Sequence, residues 1–246
     1  MNNKYLKINF LGKYGGLSSG LKNIFDEINP NYEINKSLST DIELIKIATF
    51  CPTLRSDNEE NYLKELEYYK ELINNMKEKE HLIYISSITL ELTNKTFYSR
   101  AKKSVEEMLY SNLKNYTIFR LGMIFNAKTN RFTLSSMEQS SKSIFTFQND
   151  IPKTTACTIK DIYQSILKVG LNLHFYSGKK INIGIKRFKF SELQNFSNYK
   201  KFRIPLLSFF MLKILSLLSP RLRAYVGGKA SSDVPNIAFK SSMDIN

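Results

Sequence analysis

The sequence lacks the ingredients of several protein classes. Two cysteines, Cys51 and Cys157, are too few for a disulfide framework, and free thiols in a reducing compartment are expected. Both are read as buried small hydrophobes rather than nucleophiles. Two histidines, His81 and His174, with no Cys/His cluster beside them, argue against a zinc site, and no metal is expected. Both are read as surface or loop residues. No run reaches the ~18 apolar residues of a membrane span. The start, MNNKYLKINFLGKYGG, enters a strand and a glycine loop without an apolar leader, so no signal peptide is expected. Internal repeats and low-complexity tracts are absent. Acidic residues are scarce: 22 Asp+Glu face 36 Lys+Arg, a net charge of +14. Three readings of that excess stay open: nucleic-acid binding, an anionic substrate or membrane surface, and plain lysine-rich solvation. Aromatics do not interleave with the basic residues as a base-stacking platform requires, so nucleic acid is not an expected partner.

What is present suits an ordinary globular core. The chain has 246 residues, 42% of them apolar, enough for one sizeable domain or a core with an appendage. Strand-like runs at 5–11, 42–50, 82–87 and 116–122 alternate with helical patterns at 20–28, 58–79 and 98–112. A weak strand is expected at 32–38. The 58–79 helix carries one apolar stripe, Leu63, Leu66, Tyr69, Ile73 and Met76. Such alternation predicts an α/β fold, a Rossmann-like parallel sheet with helices on both faces and ligands at the carboxyl ends of its strands. Residues 128–150 are polar and serine-rich, as a loop or lid would be. Beyond them a helix is expected from Thr158–Asp161, a strand at KINIGI, a short helix at FSELQNF and a loose tail from 229. Residues 204–218, nearly all apolar with basic flanks, read either as a helix packed on the core or as a membrane-surface helix.

Two motifs carry chemistry. Gly12 and Gly15 follow the first strand with G-x-x-G spacing, and Ser18 stands where a third glycine of a dinucleotide loop would fall. Glycines there allow a tight turn and close approach of backbone amides to pyrophosphate. The second motif is Tyr98-Ser-Arg-Ala-Lys102, at the head of a helix and downstream of a strand ending in Ser86-Ser87. Four residues apart on a helix is one turn on the same face, so the phenol and the ammonium can act on one substrate atom. Arg120 is read as holding the sheet end.

These segments resemble the extended short-chain dehydrogenase/reductases, the NAD-dependent epimerase/dehydratase family, over about residues 5 to 195. IELIKIATF is similar to the family strand whose small pair, here Ala48-Thr49, lines the cofactor. HLIYISS resembles the strand carrying the catalytic hydroxyl, here Ser87 preceded by Ser86. Tyr98-x-x-x-Lys102 matches the family's Y-x-x-x-K, and TIFRLGMIFN its R-x-G segment with Gly122. Thr158–Asp161 resembles a later helix cap, and Ile181–Gly184 a later strand. The resemblance implies NAD or NADP as cofactor, held by Gly12, Gly15, Ser18, Ala48, Thr49, Ser86 and Gly122. It implies Tyr98 as acid/base, assisted by Lys102 and Ser87. Only about a dozen residues separate the first helix from the 42–50 strand, so the sheet is expected to be shortened on its adenosine side. Glu33, Lys36 and Ser37 leave NAD and NADP both open.

The domain expectation is a core of 1–127 with about 155–185. A small C-terminal substrate lobe and apolar helix come from about 128–154 and 186–246. The expected activity is that of an NAD(P)-dependent epimerase or reductase acting on a nucleotide-activated sugar, in surface-polysaccharide biosynthesis. Dehydration is disfavoured because Ser87-Ile-Thr89 offers no acidic pair. The alternative is a non-catalytic dinucleotide-binding sensor or scaffold. A cytoplasmic protein is expected, with a peripheral membrane contact through 204–218 and a homodimer as further options.

Overall fold

The computed structural model describes residues 5–11, 16–35, 41–54, 56–88, 96–126, 131–132, 145–147, 154–188, 202–204 and 237–245. In the first half, β1 (Tyr5–Leu11), α1 (Gly16–Ile28), β2 (Glu33–Asn35), β3 (Leu44–Ala48), α2 (Glu59–Asn74), β4 (Glu80–Ser87), α3 (Phe97–Asn112) and β5 (Tyr116–Leu121) follow one another. Then come β6 (Met123–Asn126), the short strands β7 (Arg131–Phe132) and β8 (Phe145–Phe147), β9 (Thr154–Thr158), α4 (Ile159–Leu171) and α5 (Leu173–Tyr176). The described chain ends with β10 (Lys179–Ile183), β11 (Arg187–Phe188), β12 (Phe202–Ile204), β13 (Ile237–Phe239) and a 3-10 turn, Ser242–Ile245.

The main sheet has seven strands in the order β13-β10-β5-β4-β3-β1-β2, all parallel except β2. β4 lies at its centre, and all eight of its residues are buried. That is the signature of a parallel strand covered on both faces. Its alternation feeds two cores. Ile83 and Ile85 join Leu21 and Phe25 of α1 and Ile162, Ile166 and Val169 of α4. Leu82 and Tyr84 join Tyr69 and Ile73 of α2 and Val105 and Leu109 of α3. Each fully buried aliphatic side chain contributes about 1.5–3 kcal/mol of burial free energy. The second layer fixes α3, and with it Tyr98 and Lys102, against β4.

The expected α/β sheet is present, with four local departures. α2 stops at Asn74, and Leu63 of its expected stripe is exposed; Glu65, Tyr69 and Ile73 are the buried residues. The tail is not loose throughout. β13 pairs in parallel with β10, and Asp161, the acidic member of the capping box on α4, accepts bonds from Ser241 and Ser242. Three strand residues are too few to show a period, which hid β13 from sequence reading. His81 is buried rather than superficial. Its Nε2 lies 2.9 Å from Thr117 Oγ1, which itself donates to the Tyr176 carbonyl at 2.9 Å, so the imidazole carries its proton on Nε2. Burial drives its pKa down to about 3.

The fourth departure is β2. It runs antiparallel to β1, opposite Tyr5, Leu6 and Lys7. Tyr32, with φ of 53°, turns the chain into it. The Tyr32 ring stacks on Phe25 and meets Phe10 edge-on, so aromatic packing lies beside the upper half of β1. The sheet is therefore short on the side that follows β1, as expected, and its edge strand runs the wrong way for a repeating βαβ unit. FSELQNF, nearly all of 204–218 and most of 128–150 lie outside the described residues, although β7 and β8 fall within the span read as a loop.

Candidate active site

Ser87 is the last residue of β4, at the carboxyl end of the central strand. α3 starts beside it because Thr96 caps the helix, its hydroxyl accepting from Ser99 N at 3.0 Å within a capping box. Asp57 Oδ1 accepts from the Tyr98 amide at 2.8 Å, placing a carboxylate at the positive end of the helix. This start brings the Tyr98 phenol towards the Ser87 side chain, which acts to lower its pKa. Burial, seconded by the Cys51 sulfur, pushes the phenol well above the ordinary tyrosine range. Lys102 and Ser87 pull the other way and do not prevail. Tyr98 therefore rests as a neutral phenol, poised to give a proton.

One turn on, Lys102 is 3% exposed. Its Nζ is 3.2 Å from Glu65 Oε1 and donates to the Ile85 carbonyl at 3.3 Å. It also lies over the Tyr84 ring, 4.9 Å from the centroid, and 5.9 Å from that of Tyr98. Burial opposes the charge of Lys102, but its acidic neighbours Cys51 and Glu65 outweigh burial and hold its pKa well above the usual lysine range. Glu65 is completely buried, and its other oxygen accepts from Thr53 Oγ1 at 2.6 Å. Thr53 belongs to a 3-10 turn, Pro52–Leu54, after β3, and lies 3.6 Å from Cys51 Sγ. Burial raises the Cys51 pKa and favours the neutral thiol. Cys157 is fully buried and its pKa is raised for the same reason.

Glu65 was not anticipated. Its signal was its spacing, i, i+4 and i+8 with Tyr69 and Ile73, which puts a carboxylate on the buried stripe of a charged helix.

The remaining residues proposed from sequence divide. Ser18, at the start of α1, and Thr49, after β3, are hydrogen-bonded to each other through their hydroxyls. Ala48 is completely buried in the α2/α3 core. Ser86 points away from Ser87, as alternation along a strand requires, and donates to Glu106 Oε1 at 2.6 Å. Arg120 grips the same carboxylate with two bonds, of 3.0 and 2.7 Å, and Lys180 lies 3.4 Å from it. Arg120 thus ties β5 to α3. Gly122 sits where an added Cβ would fall 2.1 Å from the Thr155 carbonyl oxygen, so β9 excludes any side chain there. Gly12 and Gly15, with Lys36 and Ser37, lie outside the described residues.

The site fits the two ends of a dinucleotide unequally. Ser87, Tyr98 and Lys102 offer hydroxyl, phenol and ammonium groups of the kind a nicotinamide ribose would need. In doubly wound sheets the adenosine ribose meets an acidic residue after the second parallel strand. Here Glu33 of β2 lies opposite Lys7, four residues below Leu11 on β1, or ~13 Å down the strand.

No family model matches the sequence, and no curated protein does so. Solved structures do resemble it. An L-threonine dehydrogenase from Phytophthora infestans is similar with a TM-score of 0.59 at 10% identity, over 92% of this chain and 90% of that one. A UDP-N-acetylglucosamine 4-epimerase from Bacillus cereus gives 0.51 at 18% identity, over 81% and 85%. A UDP-glucuronic acid 4-epimerase from Bacillus cereus, in complex with UDP-glucuronic acid and NAD, gives 0.53 at 14% identity, over 84% and 80%. The chain shares its fold with these dehydrogenase and epimerase structures.

Proposed function

We propose that the chain is an NAD(P)-dependent oxidoreductase that works as a reductase or epimerase on a nucleotide-activated sugar. The observation that carries this reading is Ser87 at the carboxyl end of β4, with Tyr98 and Lys102 one turn apart on the adjoining helix. The fold shared with UDP-sugar 4-epimerases supports it.

In the proposed reaction, Ser87 and Tyr98 hydrogen-bond the reacting oxygen of the sugar and fix its orientation. Tyr98, neutral at rest, gives that oxygen its proton during ketone reduction and takes one back in the reverse sense. The Lys102 ammonium lies close enough to stabilise the phenolate that this leaves. Bound beside them, the nicotinamide would supply or accept the hydride. Thr49 and Ser18 would border the cofactor. The net charge of +14 suits a substrate carrying a diphosphate. Synthesis of surface polysaccharide is a setting that joins such a substrate to the apolar, base-flanked run 204–218. No helix among the described residues is long and apolar enough to cross a membrane.

A second reading, a dinucleotide-binding sensor without turnover, draws on two observations. β2 runs antiparallel, and the Lys102 ammonium is engaged by Glu65 and the Ile85 carbonyl. A panel of nucleotide-linked keto-sugars, followed with NADH and with NADPH by absorbance at 340 nm, separates the two. Oxidation of either cofactor with at least one sugar is expected. Cofactor binding without turnover on any sugar would favour the sensor, and binding of neither dinucleotide would end both readings.

A further inference from the structure

We propose that Glu65 is a positioning residue of this centre, keeping Lys102 charged and pinned beneath Tyr98. The proposal rests on the reading of Tyr98 as the proton-transfer group. The groups facing Lys102 come from every element around it: Cys51 from the segment after β3, Glu65 and Tyr69 from α2, Tyr84 from β4, and Tyr98 from α3 itself. At neutral pH the thiol and the three phenols are uncharged, so Glu65 supplies the negative charge.

The geometry gives that charge a fixed place. Glu65 is completely buried, one oxygen on Lys102 at 3.2 Å and the other on Thr53 Oγ1 at 2.6 Å. Thr53 is 2% exposed in its turn. A chain of contacts therefore runs from the loop after β3, through α2, to the ammonium, and on to the Ile85 carbonyl of β4. Buried ion pairs seldom add stability over well-packed apolar groups, so stability alone is a weak reason for one here. Its location supplies a better one, since the ammonium it holds lies 4.9 Å from the centre of the Tyr84 ring and 5.9 Å from that of Tyr98. Without Glu65, only the Ile85 carbonyl and the nearby ring faces would oppose burial at neutral pH, and Lys102 would release its proton more readily.

The test is a pH titration of lysine side chains by NMR, on the full chain with no cofactor or sugar. Lys102 is assigned by its absence in Lys102→Met. In the wild type, Lys102 is expected to hold its proton to higher pH than the surface lysines. In Glu65→Gln, which keeps the shape and an oxygen for Thr53, Lys102 is expected to lose its proton about two pH units below the surface lysines, a ~100-fold weaker proton affinity than theirs. Glu65→Asp should restore a charged Lys102. An unchanged Lys102 titration in folded Glu65→Gln would overturn the proposal. If that variant does not fold, a wild-type Lys102 that titrates with or below the surface lysines overturns it equally. The redox reading fails separately, through absent dinucleotide binding or turnover, neither of which enters this titration.

Discussion

Replacing His81 with glutamine should remove a defined part of the protein's acid sensitivity. His81 is 1% exposed, and burial lowers its pKa from 6.5 to about 3. The unfolded chain takes up the proton near pH 6.5, while the folded chain refuses it until about pH 3. The depressed value therefore means stability that is intact above pH 6.5 and lost as the pH falls towards 3. Each pH unit in that window costs about 1.4 kcal/mol, so pH 4.5 costs about 2.7 kcal/mol through this one residue. That is a large share of the ~5–15 kcal/mol that holds a typical domain together. The assay is urea unfolding by circular dichroism at pH 7.5 and pH 4.5, for wild type and His81→Gln. Buried or bonded carboxylates such as Glu80 and Asp161, both held below the ordinary range, titrate in both proteins and cancel in the difference. The variant should lose about 2.7 kcal/mol less between the two pH values than the wild type. Equal losses in the two proteins would show that His81 takes up its proton in the folded state as freely as in the unfolded one.

Other substitutions probe the site and its supports. Lys102→Met strands the Glu65 carboxylate in the core and should cost about 3–5 kcal/mol in urea unfolding, most of it regained in Lys102→Met/Glu65→Leu. A double variant as unstable as the single would mean that the two charges are not coupled. Gly122→Ala forces a methyl against the Thr155 carbonyl and should cost about 1–3 kcal/mol. An unchanged melting temperature would show that β9 does not press on Gly122. Arg120→Gln breaks the two-bond grip on Glu106 and should cost about 1.5–3 kcal/mol. Lost turnover with unchanged stability would instead make Arg120 part of the reacting site.

The sheet was legible because its strands are apolar runs at regular spacing, and β4 is the extreme case. The start of α3 was legible because Tyr98 and Lys102 form a local pattern within one helix. What escaped was set by distant partners. His81 reads as an ordinary polar residue until Thr117, 36 positions away, supplies its bond. Glu65 is one acid among many on α2, and only the path of β4 and α3 beneath it turns it into the counter-charge of Lys102. The direction of β2 depends on Tyr32 turning the chain with a positive φ, which nothing in the residue type announces. Ser86 and Ser87 are adjacent in sequence, yet strand alternation sends one to Glu106 and the other to Tyr98.

The central claim is that Tyr98 moves the proton at a nicotinamide site. Its most direct test is turnover of a nucleotide-linked keto-sugar by Tyr98→Phe, with dinucleotide affinity measured alongside. The account predicts that turnover falls by about 10²–10⁴-fold while the affinity for NADH or NADPH stays within a few-fold of wild type. Turnover equal to wild type would contradict it.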